Sequence, residues 1–230
     1  MIKAIFGSNM IEHAGLLGYD TTKALCKRRI LRGHNEIVQH AKAFQHIINA
    51  FVTEKRDISE ELINETHRIL VKGTPILVPN GADVPFELYG GVYRTVVIGA
   101  GNTNFTVPKF VPAKMKEICD GLKKELTISE DKKEIDPFSV AAKYSLQFVQ
   151  IHPFQDGNGR MCCLILNAIL CRYAGVIVPI GEHEEDRKDY IGIKKRSSEH
   201  MGGHGEYATF VLAKATIRLR EMKKLTGKKS

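Results

Sequence analysis

Ten residues constrain this chain more than any others: "IHPFQDGNGR", positions 151 to 160. What lies on either side decides how they must be read. "DPFSVAAKYSLQFVQIH" (136 to 152) sets Val140, Tyr144, Gln147 and Ile151 on one helical face, and Ala141, Phe148 and Val149 widen the stripe. Asp136 is a good N-cap there, with Pro137 in the first helical position. "MCCLILNAIL" opens a second helix, predicted over Met161–Tyr173 and stopped by Gly175 and Pro179. Between alternating strands, "DGNG" would be a hairpin turn. Between two apolar helices it is a polar loop that the fold must hold against the core.

The rest of the chain reads as helices around one β-hairpin. "NEIVQHAKAFQHIINAFVTEKR" (35 to 56) spaces Ile37, Ala41, Phe44, Ile48 and Phe51 as a helix face. "DISEELINETHRILVKG" offers an Asp57–Glu60 capping box, an apolar face of Leu62, Ile63, Thr66, Ile69 and Leu70, and a stop at Gly73. His67 on that helix reads as a half-buried structural residue. Residues 75 to 111 are rich in β-branched residues around a Gly/Asn cluster, which predicts a hairpin with its loop near Gly99 to Asn104. Helices return after Pro112 and again in "EEDRKDYIGIKKRSSEH", interrupted by Gly192, and "EYATFVLAKATIRLREMKK". The expected fold is all-α with one small β-hairpin, in a single domain over 1–230.

A hydrophobic share of 43% supports a substantial core. No run approaches the length of a membrane-spanning helix, and the N-terminus lacks the pattern of a signal peptide. Cys26, Cys119, Cys162, Cys163 and Cys171 fit no zinc spacing and read as thiols in a reducing compartment, cytoplasmic or nuclear. The net charge of +8 is concentrated in the last helix and tail. No aromatic residues interleave with those charges, which argues against nucleic acid as a partner.

The loop itself carries chemistry. Gly157, Asn158 and Gly159 tolerate positive φ where a helix begins, and unpaired first-turn N–H groups with the helix dipole attract an anion such as phosphate. Arg160 adds a forked, permanently charged donor. Asp156 beside that anion is a hard oxygen ligand suited to Mg²⁺. His152 can be neutral near pH 7 and accept a proton. A base, a metal carboxylate, an anion nest and an arginine within nine residues point to nucleotide phosphate transfer.

"HPFQDGNGR" resembles the signature of the Fic family, HPFx-D/E-GNGRxxR, and the similarity extends over roughly residues 8 to 215 with a core at about 58–215. The resemblance implies a mostly helical Fic-like fold and Mg²⁺-dependent transfer of AMP from ATP to a Ser, Thr or Tyr hydroxyl of a target protein. His152 would be the general base and Asp156 would hold Mg²⁺. Asn158, the Gly157 and Gly159 backbone and Arg160 would bind the phosphates. A flap at about 94–110 would pair with the target as an added strand, and some relatives inhibit themselves as homodimers. Tyr190 and Asn167 lie where a base pocket could form, or they pack.

Two departures stand out. "SNMIEH" matches the family's inhibitory S/T-x-x-x-E-G/N at Ser8 and Glu12, in an N-terminal region at about 8–20, but His13 replaces Gly or Asn. The second motif Arg falls at Cys163, a short and mostly neutral side chain. Losing such a charge-assisted contact costs about 2 kcal/mol or more. A weakened transferase, an unlatched one, one using another donor, an AMP-removing enzyme relying on Glu12, and a nucleotide-binding module all remain open at this stage.

Overall fold

A computed structural model of the chain describes residues 23–78, 81–100, 103–181, 184–199 and 203–226. Ser8 and Glu12 lie outside the described residues. Seven α-helices are described: α1 Lys23–Ile48, α2 Glu60–Leu70, α3 Val111–Lys132, α4 Pro137–Ile151, α5 Asn158–Ala174, α6 Glu184–Glu199 and α7 His204–Thr226. The fold is mostly helical, as the periodicity predicts. No described helix is long and apolar enough to cross a membrane.

The centre is α5. Every residue from Met161 to Leu170 is buried, so this helix is apolar on all sides and must be surrounded. Helix α4 packs along it, α1 covers another side, and α7 closes over α4. Asp136 starts α4 by accepting hydrogen bonds at Oδ1 from the Phe138 and Ser139 amides, both at 3.1 Å. The chain leaves α4 through His152 in the left-handed conformation, φ 54°, and five residues later enters α5 through Gly157, φ 77°. Helix α5 thus begins at Asn158, three residues before the predicted Met161, so Asn158, Gly159 and Arg160 form its first turn. The reason is local. Asn158 Oδ1 accepts from the Phe154 amide at 2.9 Å, and its Nδ2 donates to the Phe154 carbonyl at 2.8 Å.

Other expectations are corrected. Helix α1 begins well before residue 35, and Ile37 is exposed. Its buried face is Glu36, His40, Ala43, Phe44 and Ile47, so two polar residues point inward where the apolar pattern predicts Ile37. A π-helical turn at Asn49–Thr53 then adds a residue and keeps Ala50 and Phe51 inside. The cap of α2 is Ser59, whose Oγ accepts from the Leu62 amide at 3.2 Å. The predicted box residues are engaged elsewhere: Asp57 pairs with Lys123 at 2.8 Å, and Glu60 accepts from the Tyr93 hydroxyl at 2.8 Å. Helix α6 runs through Gly192 without a break.

The region read as a hairpin is paired over two residues on each side, β1 Gly99–Ala100 against β2 Thr103–Asn104, antiparallel. Arg94 ties down both flanks of this short pair: its guanidinium donates to the Val96 carbonyl at 3.0 Å and to the Thr106 carbonyl at 2.5 Å.

Asp136→Ala removes both capping bonds of α4 and is expected to cost about 1 kcal/mol. Urea unfolding measures this as a lower midpoint at unchanged slope. An unchanged midpoint would mean that packing on α5 alone fixes the start of α4.

Candidate functional site

The motif loop is held from below by a ring stack and a two-ended histidine. Phe154 is fully buried and lies flat on His67, ring centres 3.6 Å apart and planes within 3°. His67 is itself fully buried on α2. Its Nδ1 accepts from the Gly91 amide at 2.8 Å, which leaves the proton on Nε2 to donate to the Asp156 carbonyl at 2.9 Å. Two glycines make these approaches possible. A Cβ at Gly91 would sit 2.5 Å from the Asn64 carbonyl, whereas one at Gly157 would meet His67 and Leu70 at an ordinary 3.4 Å, so at Gly157 the backbone conformation is the constraint. Both have positive φ, 71° and 77°. The structural role predicted for His67 therefore holds, with more burial than the sequence implies. Desolvation lowers its pKa to about 4, helped by the nearby Arg160 charge, while Asp156 opposes the shift. The ring is neutral at physiological pH.

A second clasp closes the other side. Arg94 is 3% exposed. Its amide donates to the Pro153 carbonyl at 2.8 Å, its Nε to the His152 carbonyl at 2.6 Å, and its Nη2 to the Ile151 carbonyl at 3.3 Å. The orphan carbonyls at the C-terminal end of α4 thus meet a cation, favoured there by the helix dipole. The same guanidinium holds Val96 and Thr106, so these two backbone positions and the motif loop are one hydrogen-bonded unit. Reading the sequence for chemistry passes over Arg94. The available signal is a lone cation in the β-branched run "GGVYRTVVIG".

The predicted site residues come together at the mouth of α5. His152 donates from Nδ1 to the Val149 carbonyl at 3.1 Å, leaving the Nε2 lone pair as its basic atom. Phe105 stacks on the ring at 3.8 Å. Burial first, and the Lys194 and Arg94 charges after it, lower the His152 pKa to about 4. The imidazole is unprotonated at neutral pH, as a base must be before it acts. Asp156 Oδ1 accepts from the Gly157 amide at 2.7 Å and lies 3.5 Å from Arg160 Nη2. Its Oδ2 accepts from Arg32 Nη2 at 3.1 Å. Burial would raise the Asp156 pKa, but the Arg160 and Arg32 charges and the Gly157 amide outweigh it and hold the carboxyl below the usual range. Arg160 is 1% exposed and sits close enough to the buried His40 to help desolvation push that ring's pKa down to about 3. The Asn158 side chain is committed to Phe154; what Gly157, Asn158 and Gly159 offer a ligand is backbone at a helix N-terminus.

Cys163 is buried, with Sγ 4.0 Å from the Tyr190 hydroxyl. Tyr190 packs there and against Cys162, while Asn167 clasps the backbone of Val178 from both sides, at 2.7 and 3.1 Å. These contacts account for both residues as packing elements.

No cluster of three or more metal-ligating side chains occurs among the described residues. Asp156 is nevertheless ionised, partly exposed and adjacent to an anion-attracting helix end. One carboxylate with the rest of the shell from phosphate and water is how Mg²⁺ is often held, so the residues fit that ion.

Residues 57–170 match the model of the Fic/DOC family. Among curated proteins, protein adenylyltransferase fic-1 of Caenorhabditis elegans is 32% identical over 184 residues, covering 79% of this chain and 31% of the relative. Protein adenylyltransferase Fic of Nematostella vectensis is 27% identical over 222 residues, 93% of this chain and 46% of the relative. The chain spans about a third to a half of the length of these relatives. A solved structure of Fic-1 from C. elegans superposes with a TM-score of 0.78 at 22% identity, over 100% of this chain and 64% of that one. A Fic domain containing signaling protein from Bacteroides thetaiotaomicron gives 0.68 at 23% identity, over 94% and 80%. At these identities the superpositions establish likeness of fold.

Two outcomes follow from the geometry. His67→Phe keeps the stack on Phe154 but strands the Gly91 amide and the Asp156 carbonyl, and is expected to cost about 2 kcal/mol in urea unfolding. No loss would mean that the stack alone holds the loop. Three buried neutral rings, His40, His67 and His152, also make the fold acid-sensitive. Between pH 6.5 and about 4 the unfolded chain binds protons that the folded chain refuses. Stability therefore falls as pH drops through that window, by up to ~1.4 kcal/mol per pH unit for each ring. Denaturant melts at stepped pH measure the slope, and a flat profile over the window would contradict it.

Proposed function

From the premise that this chain belongs to the Fic/DOC family through residues 57–170, we propose that it transfers AMP from ATP to a Ser, Thr or Tyr hydroxyl of a target protein. The observation that carries this reading is the state of His152. Its Nδ1 proton is fixed on Val149, its Nε2 lone pair is available, and the ring is neutral four residues before an ionised Asp156 and the N-terminus of α5. The names of the curated relatives, protein adenylyltransferases, support the same reaction.

In this reading the target hydroxyl oxygen attacks the α-phosphorus of ATP as His152 Nε2 takes its proton. The bond from the α-phosphorus to the bridging oxygen breaks, and pyrophosphate leaves in line. The α5 N-terminal amides and Arg160 hold the phosphates and stabilise the charge that develops on them. Asp156 would hold Mg²⁺, which neutralises phosphate charge when bound. The target segment docks by strand addition on the flap at about 94–110. The exposed Val96, Val97 and Val107 beside the short β1–β2 pair support that docking. Glu12, with Ser8, regulates the site from the N-terminal region, a role supported by the motif match alone. The free cysteines Cys119, Cys162, Cys163 and Cys171 support a cytoplasmic or nuclear setting.

With ATP labelled on the α-phosphate and Mg²⁺, label is expected to enter protein in a cell extract or the chain itself. His152→Ala should abolish this labelling while ATP binding persists. Equal labelling by the His152→Ala variant would remove His152 from the mechanism. No labelling by the parent would count against transfer and turn attention to removal of AMP from a modified target.

A further inference from the structure

The site holds a cation that the motif does not supply. Arg32 is on α1, 124 residues before Asp156, and its Nη2 donates to Asp156 Oδ2 at 3.1 Å. Its Nε donates to Glu36 Oε1 at 2.9 Å. Glu36 is 3% exposed and one turn along the same helix, so it grips the guanidinium from one edge and aims the other at the mouth of α5. The Arg32 side chain remains 21% exposed, at the rim of the site.

The charge balance gives this placement its meaning. A nucleotide triphosphate brings several negative charges to a site whose motif provides one cation, Arg160. Position 163, one turn further along α5, carries a neutral thiol facing Tyr190. Without nucleotide, Arg32 neutralises Asp156. Asp156 would hold a divalent cation that accompanies the nucleotide, and Arg32, displaced from that carboxylate, would have the phosphate oxygens of the nucleotide as its alternative anion. Its planar fork suits phosphate oxygens as well as it suits a carboxylate, and the Glu36 contact keeps it in place during the exchange.

We propose that Arg32 is the second phosphate-binding cation of this site, contacting the outer phosphates of the nucleotide from α1 in place of the arginine that Cys163 does not provide. This rests on the nucleotide reading above. It makes position 163 dispensable for ATP binding and assigns that work to a residue outside the motif.

Calorimetric titration of the whole chain with AMP, and with a non-hydrolysable ATP analogue plus Mg²⁺, tests the assignment. Arg32→Ala is expected to weaken the triphosphate about tenfold or more while leaving AMP within about threefold, since AMP lacks the outer phosphates. Arg32→Lys should fall between. Cys163→Arg in the Arg32→Ala background should recover most of the loss. Because Glu36 is buried, Arg32→Gln is included: its amide still donates to Glu36, so the charge can be removed even if the alanine variant does not fold. Equal weakening of both ligands would reduce Arg32 to a support for Asp156, and tighter triphosphate binding would make it a mask over the metal carboxylate. Either result overturns the proposal. If the parent chain binds neither nucleotide, the nucleotide reading itself fails and this inference falls with it. If it binds both and the Arg32 variants match it, the inference alone fails.

Discussion

The site depends on one buried imidazole. His67 joins three segments that are distant in sequence: its own helix α2, the Gly91 turn and the motif loop at Asp156. A neutral ring can do this because one nitrogen accepts while the other donates. A protonated ring would donate at both nitrogens, and its Nδ1–H would face the Gly91 N–H, so the Gly91 amide would lose its acceptor. Burial keeps the ring neutral, and the stack on Phe154 fixes its plane. The held Asp156 carbonyl and the Asn158–Phe154 clasp together fix the start of α5, and the start of α5 sets where its outward amides point.

Around this support the charges are arranged in pairs. Arg94 answers the carbonyl end of α4, and Asp156 answers two arginines beside the amide end of α5. The consequence is a carboxylate that stays ionised although largely enclosed, next to a helix end that attracts anions. His152 stands between these arrangements. Its carbonyl is held by Arg94, its Nδ1 proton is on Val149, and its ring lies under Phe105. Only the Nε2 side is left for chemistry. In the base role proposed for it, a ring held in this way would have little orientation left to lose when substrate binds.

Much of this was legible in the sequence, and the boundary has physical causes. The helices around the motif could be read because α4 and α5 bury long apolar faces, and periodicity reports burial. That the loop residues gather at one helix end could be read because turn formers, a carboxylate and an arginine stand together directly between two core helices. The buried face of α1 could not be read, because Glu36 and His40 point inward toward the site and the apolar pattern assigns that side to Ile37. The α2 cap was misplaced by two residues because Asp57 and Glu60 satisfy a local rule but are engaged by Lys123 and Tyr93 across the fold. Arg32, Arg94 and the contacts of His67 with the motif loop escaped for a common reason. Each acts on the motif over a long separation in sequence, and no local pattern encodes such a contact.

The central claim is that the N-terminus of α5 is a phosphate site built on this clasp. Backbone amide NMR of the chain, titrated with a non-hydrolysable ATP analogue with and without Mg²⁺, measures it most directly. The account predicts that the largest shifts fall on Gly157, Asn158 and Gly159, and that adding Mg²⁺ extends them to Asp156. Shifts concentrated elsewhere, with residues 156–159 unmoved at saturation, would contradict it.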